Sequence, residues 1–300
     1  MPGHLLSRRY FLGVACAAPF AFRGARAIAV PAARVVALDL LPTELLLTLG
    51  VIPLAIANAP LYRRLVAEPA LPDAVPDLGP LTEPNAEFLQ VLRPDSILLA
   101  AWQSGSVERL SRIAPLVPLQ TIAGTVPATA HAAALLREVG ALTARTTEAE
   151  HWIARMEREM GQAREALRGR DTRPLYVCRF AANGRNVALF GGNGLVGDVI
   201  RQLGLRNAWK GRVNTSGVVS VGIEQLAADP EARIIHFDRG AETVRAMENL
   251  SRSALWRALP AVRAGRVTTM PVVYPSGGVS TAIRFARQLA EALTKEVSNG

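Results

Sequence analysis

"TTEAEHWIARMEREMGQAREALRGR", residues 146–170, reads as one long helical stretch near the middle of a 300-residue chain. Trp152, Met156 and Met160 recur four residues apart, and Ile153, Ala163 and Leu167 widen them into one apolar face. Thr147 with Glu150 spells a capping box. Glu148, Glu150, Glu157 and Glu159 come early and Arg164 and Arg168 late, as the helix dipole favours. About 24 residues at 1.5 Å each make a rod of roughly 36 Å. A rod of that length can join two lobes; the same pattern also suits an ordinary long helix inside one domain.

On both sides of the rod, short apolar runs alternate with amphipathic stretches, the pattern of an α/β protein. Before it, "RVVAL" (34–38), "PLAIA" (53–57), "SILLA" (96–100) and "VPLQTI" (117–122) read as strands. "PTELLLTLG" (42–50), with proline in its first turn, and "NAEFLQVLRP" (85–94) read as helices. After it, "PLYVCRF" (174–180), "VALF" (187–190), "ARIIHFD" (232–238) and "RVTTM" (266–270) are strands. "GLVGDVIRQLG" (194–204) is a helix, and "GVSTAIRFARQLAEALTKEV" (278–297) closes the chain as another. The expected architecture is two α/β lobes, residues 28–142 and 171–300, joined by a connecting helix in 143–170, with a ligand cleft between them.

The first 27 residues read differently. Arg8 and Arg9 in "SRRYFLG" form a basic head, Tyr10 to Phe22 an apolar run, and Ala25-Arg26-Ala27 a cleavage pattern. The run is too short to span a bilayer, which takes roughly 20 residues. The paired arginines point to a twin-arginine signal peptide, 1–27, and delivery to the periplasm. A lipid anchor would use Cys16, but Gly13 stands where a lipobox places an apolar side chain. Cleavage after Ala27 leaves 273 residues. It also removes Arg8, Arg9, Arg23 and Arg26 with no acid, lowering the net charge from +9 to near +5. Only Cys178 then remains, so no intrachain disulfide can form. The remaining basic residues are interspersed with acids, without an aromatic-lined basic stripe, which argues against a nucleic-acid partner.

No catalytic constellation emerges. His131, His151 and His236 are far apart and match no zinc spacing. There is no G-x-S-x-G elbow and no Walker loop. Gly192-Asn193-Gly194-Leu195-Val196-Gly197 is a literal G-x-G-x-x-G, but no acid follows about 20 residues on, where "GRVNTSG" (211–217) stands. It reads as a glycine turn that packs a helix onto a sheet. An exported two-lobed α/β chain without catalytic groups suggests a protein that binds, with its ligand between the lobes.

Several stretches together resemble the periplasmic ferric-hydroxamate-binding proteins of Fhu-type ABC iron importers, within the siderophore- and cobalamin-binding class. They are 34–58, "YRRLVAEPALPDAVPDLGPLTEPNAEFLQVLRPDSILLA" (62–100), "RIAPL" (112–116), "LFGGNGLVGDVIRQLGLRNAW" (189–209) and "LWRALPAVRAGRV" (255–267). They run in order from about residue 34 to the end. The resemblance implies an iron(III)-siderophore ligand of hydroxamate or related type, delivered to an inner-membrane permease. It implies no cofactor and no metal ligand of the protein's own, since iron arrives inside its chelator, and it implies a monomer and no enzyme. The same scaffold leaves room for a catecholate or carboxylate siderophore, haem or a corrinoid, and an exported small-molecule enzyme is the reading from another class.

The departures fall in the ligand shell. Leu81, in "GPLTEPN", stands where the resemblance places an arginine that engages ligand oxygens. Leu65 and Ser216 stand at family tryptophans. A family tyrosine falls at or beside Trp102 and Gln103, and a second at Ser276, near Tyr274. Together with Tyr62, Arg179 and Trp209 these are the candidate cleft residues. Trp209 equally fits core packing, and Arg179 a solvent-facing strand end. Glu87 in "PNAEFL" and Glu224 in "VGIEQLAA" match the two glutamates, one per lobe, that in this class face arginines of the permease. Capping or solvation in a first helical turn is their plainer reading.

Overall fold

The alternation resolves into two sheets in a computed structural model that describes residues 34–170 and 173–295. The signal-peptide reading of 1–27, including Arg8, Arg9 and Cys16, lies outside the described residues. The first sheet is parallel, in the order β1 (Val35–Ala37), β2 (Ser96–Ala100), β3 (Leu116–Leu119). The second is mixed, in the order β6 (Val218–Gly222), β5 (Asn186–Phe190), β4 (Leu175–Phe180), β7 (Arg233–Asp238), β8 (Val267–Pro271). In it β4, β7 and β8 run parallel, while β5 is antiparallel to both its neighbours.

The helices of the first half are α1 (Leu40–Thr48), α2 (Ala59–Leu65), α3 (Ala86–Leu92), the single turn α4 (Ser104–Val107) and α5 (Ala128–Leu142). Next comes α6 (Thr146–Ala166), between the two sheets in sequence. The second half carries α7 (Leu195–Gln202), α8 (Ala241–Arg252), α9 (Ala254–Ala258), α10 (Pro260–Arg263) and α11 (Val279–Lys295).

Strand alternation divides the apolar residues among three cores. Val35 and Ala37 of β1, Leu98 of β2, Leu175 and Val177 of β4, and Ile235 and Phe237 of β7 share one large cluster, which the buried faces of α1, α5, α6, α7 and α11 complete. The opposite faces close smaller cores: Val36, Leu38, Ile97 and Leu99 in the first lobe, Tyr176, Cys178, Phe180 and Ile234 in the second. The two lobes thus share a central core. Helix α6 lies along it, burying Ala149, Ile153, Met156, Met160 and Ala163, while Trp152 is half-buried with Arg155 4.8 Å over its ring. At 21 residues the rod is about 31 Å long, shorter than the stretch 146–170 promised.

Three expectations need correction. The capping box does not form: the Glu150 carboxylate turns to the Arg137 guanidinium of α5, at 2.6 and 2.9 Å. Helix α5 packs closely at this end of α6: a Cβ on Gly140 would lie 3.0 Å from the Ala149 Cβ and 3.1 Å from the Arg145 carbonyl oxygen. "PLAIA" makes two isolated bridges rather than a strand, pairing Ile56 with Ala37 and with Asp77. Its remaining hydrogen bonds, such as Leu54 N–H to the Val35 carbonyl at 2.8 Å, hold it beside β1. Finally, β6 and the helices α2, α4, α5, α8, α9 and α10 add to the elements read above.

The G-x-G-x-x-G segment is a packing turn. A Cβ on Gly197 would lie 2.5 Å from the Gly192 carbonyl oxygen, and one on Gly194 2.7 Å from Gly217. Without those side chains α7 seats on its own entry loop and fixes the loop that carries Ser216.

Candidate functional site

In parallel α/β sheets ligands gather beyond the carboxyl ends of the strands. Asp39 follows β1, Trp102 follows β2, and Thr121 and Ile122 follow β3. Across from them, Arg179 is the penultimate residue of β4, Arg239 follows β7, and Val272 to Ser276 follow β8. These ends face one another and enclose adjoining recesses. One, of about 250 Å³, is lined by both lobes: Asp39, Leu41, Trp102, Thr121 and Ile122 from the first, Ser216, Tyr274 and Ser276 from the second. A neighbour of about 190 Å³ shares Tyr274 and Ser276 and adds Leu65, Arg179, Phe190, Phe237 and Arg239.

The smaller recess has mainly apolar walls, while the larger sets Asp39, Thr121, Ser216, Tyr274 and Ser276 around Leu41, Trp102 and Ile122. Trp102 is 54% exposed and Ile122 44%, so large apolar surface is open to a ligand. Asp39 caps α1, accepting from the Leu41 N–H at 3.1 Å. Burial raises its pKa, against the opposing pull of the Leu41 and Leu40 N–H groups and of the Trp102 side chain that hydrogen-bonds it. Burial also raises the Tyr274 phenol, and the Asp39 and Glu44 charges add to this. At Arg239 burial lowers the pKa, Glu242 opposes, and the Arg179 and Arg64 charges reinforce.

The candidate residues therefore separate by place. Leu65, Trp102, Arg179, Ser216, Tyr274 and Ser276 come together around the recesses. Tyr62, Gln103, Leu81 and Trp209 do not. Tyr62 is fully buried beneath α2, its hydroxyl donating to the Pro69 carbonyl at 2.9 Å. Gln103 is fully buried as well, donating to the Leu38 and Leu81 carbonyls at 2.8 and 2.7 Å and accepting from the Ala100 N–H at 2.8 Å. It staples the turn that presents Trp102. The Leu81 side chain packs against the outer core of the first lobe. Trp209 packs against the outer core of the second, its ring beneath Gly211.

Glu87 and Glu224 are exposed, Glu87 in the first turn of α3 and Glu224 in a short 3-10 turn, Ile223–Ala227. Among the described residues no three His, Cys, Asp or Glu side chains are placed to hold a metal ion. His236 is buried on β7, one ring nitrogen 3.0 Å from the Thr269 hydroxyl, and burial lowers its pKa. Sequence reasoning missed Asp39, Phe237 and Arg239. The signal that could have found them is position, since each sits at the carboxyl end of a strand.

Two α/β lobes over a shared core, spanned by one helix and opening a shallow cleft at their strand ends, define a two-lobed binding protein. The family model of periplasmic binding proteins matches residues 35–274, and the chain belongs to that family. It is 35% identical over 291 residues to the iron(3+)-hydroxamate-binding protein FhuD of Escherichia coli K12, covering 96% of this chain and 97% of that one. Its fold matches the Fe3+–Desferal-bound siderophore-binding protein FhuD from Vibrio cholerae with a TM-score of 0.80 and 30% identity, over 87% of this chain and 98% of that one. The triscatecholate siderophore-binding protein FeuA from Bacillus subtilis shares the fold at a TM-score of 0.67 and 19% identity, over 89% and 94%.

Proposed function

We propose that this chain is the periplasmic substrate-binding component of an ABC importer, taking up an iron(III)-siderophore and handing it to an inner-membrane permease. The observation that carries this reading is a cleft lined by both lobes with Trp102 and Tyr274 open to it, in a chain aligned almost end to end with a hydroxamate-binding relative. The iron arrives wrapped in its chelator, so recognition falls to side chains that grip the chelate from outside. Leu65, Trp102, Arg179, Ser216, Tyr274 and Ser276 are those side chains. The protein acts as a monomer and performs no chemistry on its ligand.

The test is co-elution. The protein, without residues 1–27, is mixed with ferrichrome, ferric citrate and a ferric triscatecholate in turn and passed through a sizing column. At least one chelate elutes with the protein and is recovered intact. Failure to retain any of them, or recovery of a cleaved chelate, overturns the reading. Export is by the twin-arginine route: replacing Arg8 and Arg9 together by lysine retains the protein in the cytoplasm, and undiminished delivery to the periplasm would contradict it.

A further inference from the structure

Strands β4 and β7 are parallel neighbours, with Cys178 opposite His236. Alternation turns Leu175 and Val177 toward the central core, so Arg179 follows them on that face. Ile235 and Phe237 of β7 face the same core, and Arg239 is the next residue of that parity. Two guanidinium groups therefore stand side by side where the core ends and the cleft begins. Both line the recess of about 190 Å³ with Leu65, Phe190, Phe237 and Tyr274, and none of its lining residues is Asp or Glu.

Their internal neutralisation is incomplete. Arg239, with a side chain 15% exposed, pairs with Glu242 at 2.5 Å. The same carboxylate takes Arg64 of α2 at 3.1 Å. The Arg179 side chain has no hydrogen-bond or ion-pair partner among the described residues. Two guanidinium groups thus share one carboxylate, and the third has none. Against an apolar wall that excess calls for an anion, and a guanidinium fork fits the paired oxygens of a carboxylate or catecholate.

We propose that the cleft is built for a ferric chelate carrying net negative charge, with Arg179 and Arg239 as its specificity-determining residues. The proposal rests on the siderophore-binding reading above and deepens it. Hydroxamates neutralise iron(III) completely, whereas catecholates and hydroxycarboxylates leave a negative complex. A neutral hydroxamate complex still offers oxygens that accept from a guanidinium, but only the negative complex adds a net charge attraction to the two arginines.

The test is a tryptophan-fluorescence titration of wild type, Arg179→Gln and Arg239→Gln with ferric enterobactin, ferric citrate, ferrichrome and ferrioxamine B. Arg179→Gln is the cleaner variant, because Arg179 has no internal partner to strand, and thermal melting confirms that each variant is folded. At least one of the two anionic chelates binds wild type ~10-fold or more tighter than ferrichrome, and its affinity falls as salt is raised. Each arginine variant weakens that chelate by ~10–100-fold, the range for a lost charge-assisted hydrogen bond, and weakens ferrichrome several-fold less. Ferrichrome or ferrioxamine B binding as tightly as the anionic chelates, or variants that weaken all chelates alike, would overturn the charge assignment alone. Saturable binding of none of the four would overturn the siderophore reading itself.

Discussion

The buried carboxylate of Glu44, in α1, accepts the backbone N–H of Thr281 at 2.8 Å, that of Gly278 at 3.0 Å and the Thr281 hydroxyl at 2.9 Å. It thereby caps the amino end of α11, whose first N–H groups have no partner within the helix. Asp198 of α7 does the same for α5: it accepts from the Thr129 N–H at 2.9 Å and hydroxyl at 2.6 Å. Each carboxylate comes from the first helix after its lobe's opening strands and caps a helix that packs across the shared core. Two such ties, with α6 alongside, resist a wide hinge motion.

Glu44→Ala leaves three donors buried without a partner. At ~1–3 kcal/mol for each unsatisfied group, with relaxation recovering part, the variant loses about 2–4 kcal/mol. That lowers the melting temperature by roughly 5–10 °C. Asp198→Asn keeps an oxygen for Thr129 and gives up the ion pair with the half-exposed Arg201, so its loss is smaller, about 1 kcal/mol. Thermal unfolding followed by circular dichroism measures both; an unchanged melt for Glu44→Ala would show that the cap contributes nothing.

Asp39 and Glu44 both have carboxyl pKa values raised by burial. The folded chain therefore holds protons at a pH where the unfolded chain has released them. The stability this brings is complete below the ordinary carboxylate range, about 4, and is lost as pH rises through the raised values. Asp39→Asn keeps the cap on α1, since asparagine caps as well as aspartate, and removes one of the two titrations. Urea unfolding between about pH 4 and 7 shows a shallower fall of stability with pH in this variant than in wild type. An identical slope would remove Asp39 from that titration.

Glu87 is not needed to cap α3, because Asn85 accepts the Phe88 N–H at 2.9 Å. Glu224 is likewise exposed, in the other lobe. One carboxylate per lobe can register the protein over a two-subunit permease. Exposed pairs contribute only ~0.2–1 kcal/mol each, so Glu87→Ala with Glu224→Ala impairs transport clearly more than either change alone. Vesicles containing the permease and a labelled chelate show uptake lost in the double variant while chelate affinity is kept. Normal uptake would clear both residues of any docking role, and lost affinity would assign them to the cleft or the fold.

The elements that sequence displays well are those whose burial is periodic. The stripe of α6 and the runs of β4 and β7 declare themselves because alternation or a four-residue spacing repeats several times. Strand β6, "VVSVG", is half-buried and ends in glycine, so its pattern is weak. The caps were invisible because Glu44 and Thr281 are 237 residues apart and Asp198 and Thr129 69 apart. Tyr62 and Gln103 look like ligand groups in sequence because an aromatic ring or an amide carries the same chemistry whether it faces a core or a cleft. Only the Pro69 carbonyl above Tyr62, and the Leu38 and Leu81 carbonyls around Gln103, show that theirs is spent internally. Arg239 was missed for the opposite reason: nothing in "FDRG" marks it until β7 is laid beside β4.

Of the four tryptophans, Trp102 is the one that opens on the cleft; Trp152 and Trp209 are half-buried elsewhere and Trp256 is buried. Titrating wild type and Trp102→Phe with the chelate that co-elutes with the protein, and following indole emission, places the ligand directly. Wild type shows saturable quenching, and Trp102→Phe loses most of that signal while sizing-column retention of the chelate persists. Quenching of equal depth in Trp102→Phe, or no saturable change in wild type, would contradict a chelate held between the lobes against this wall.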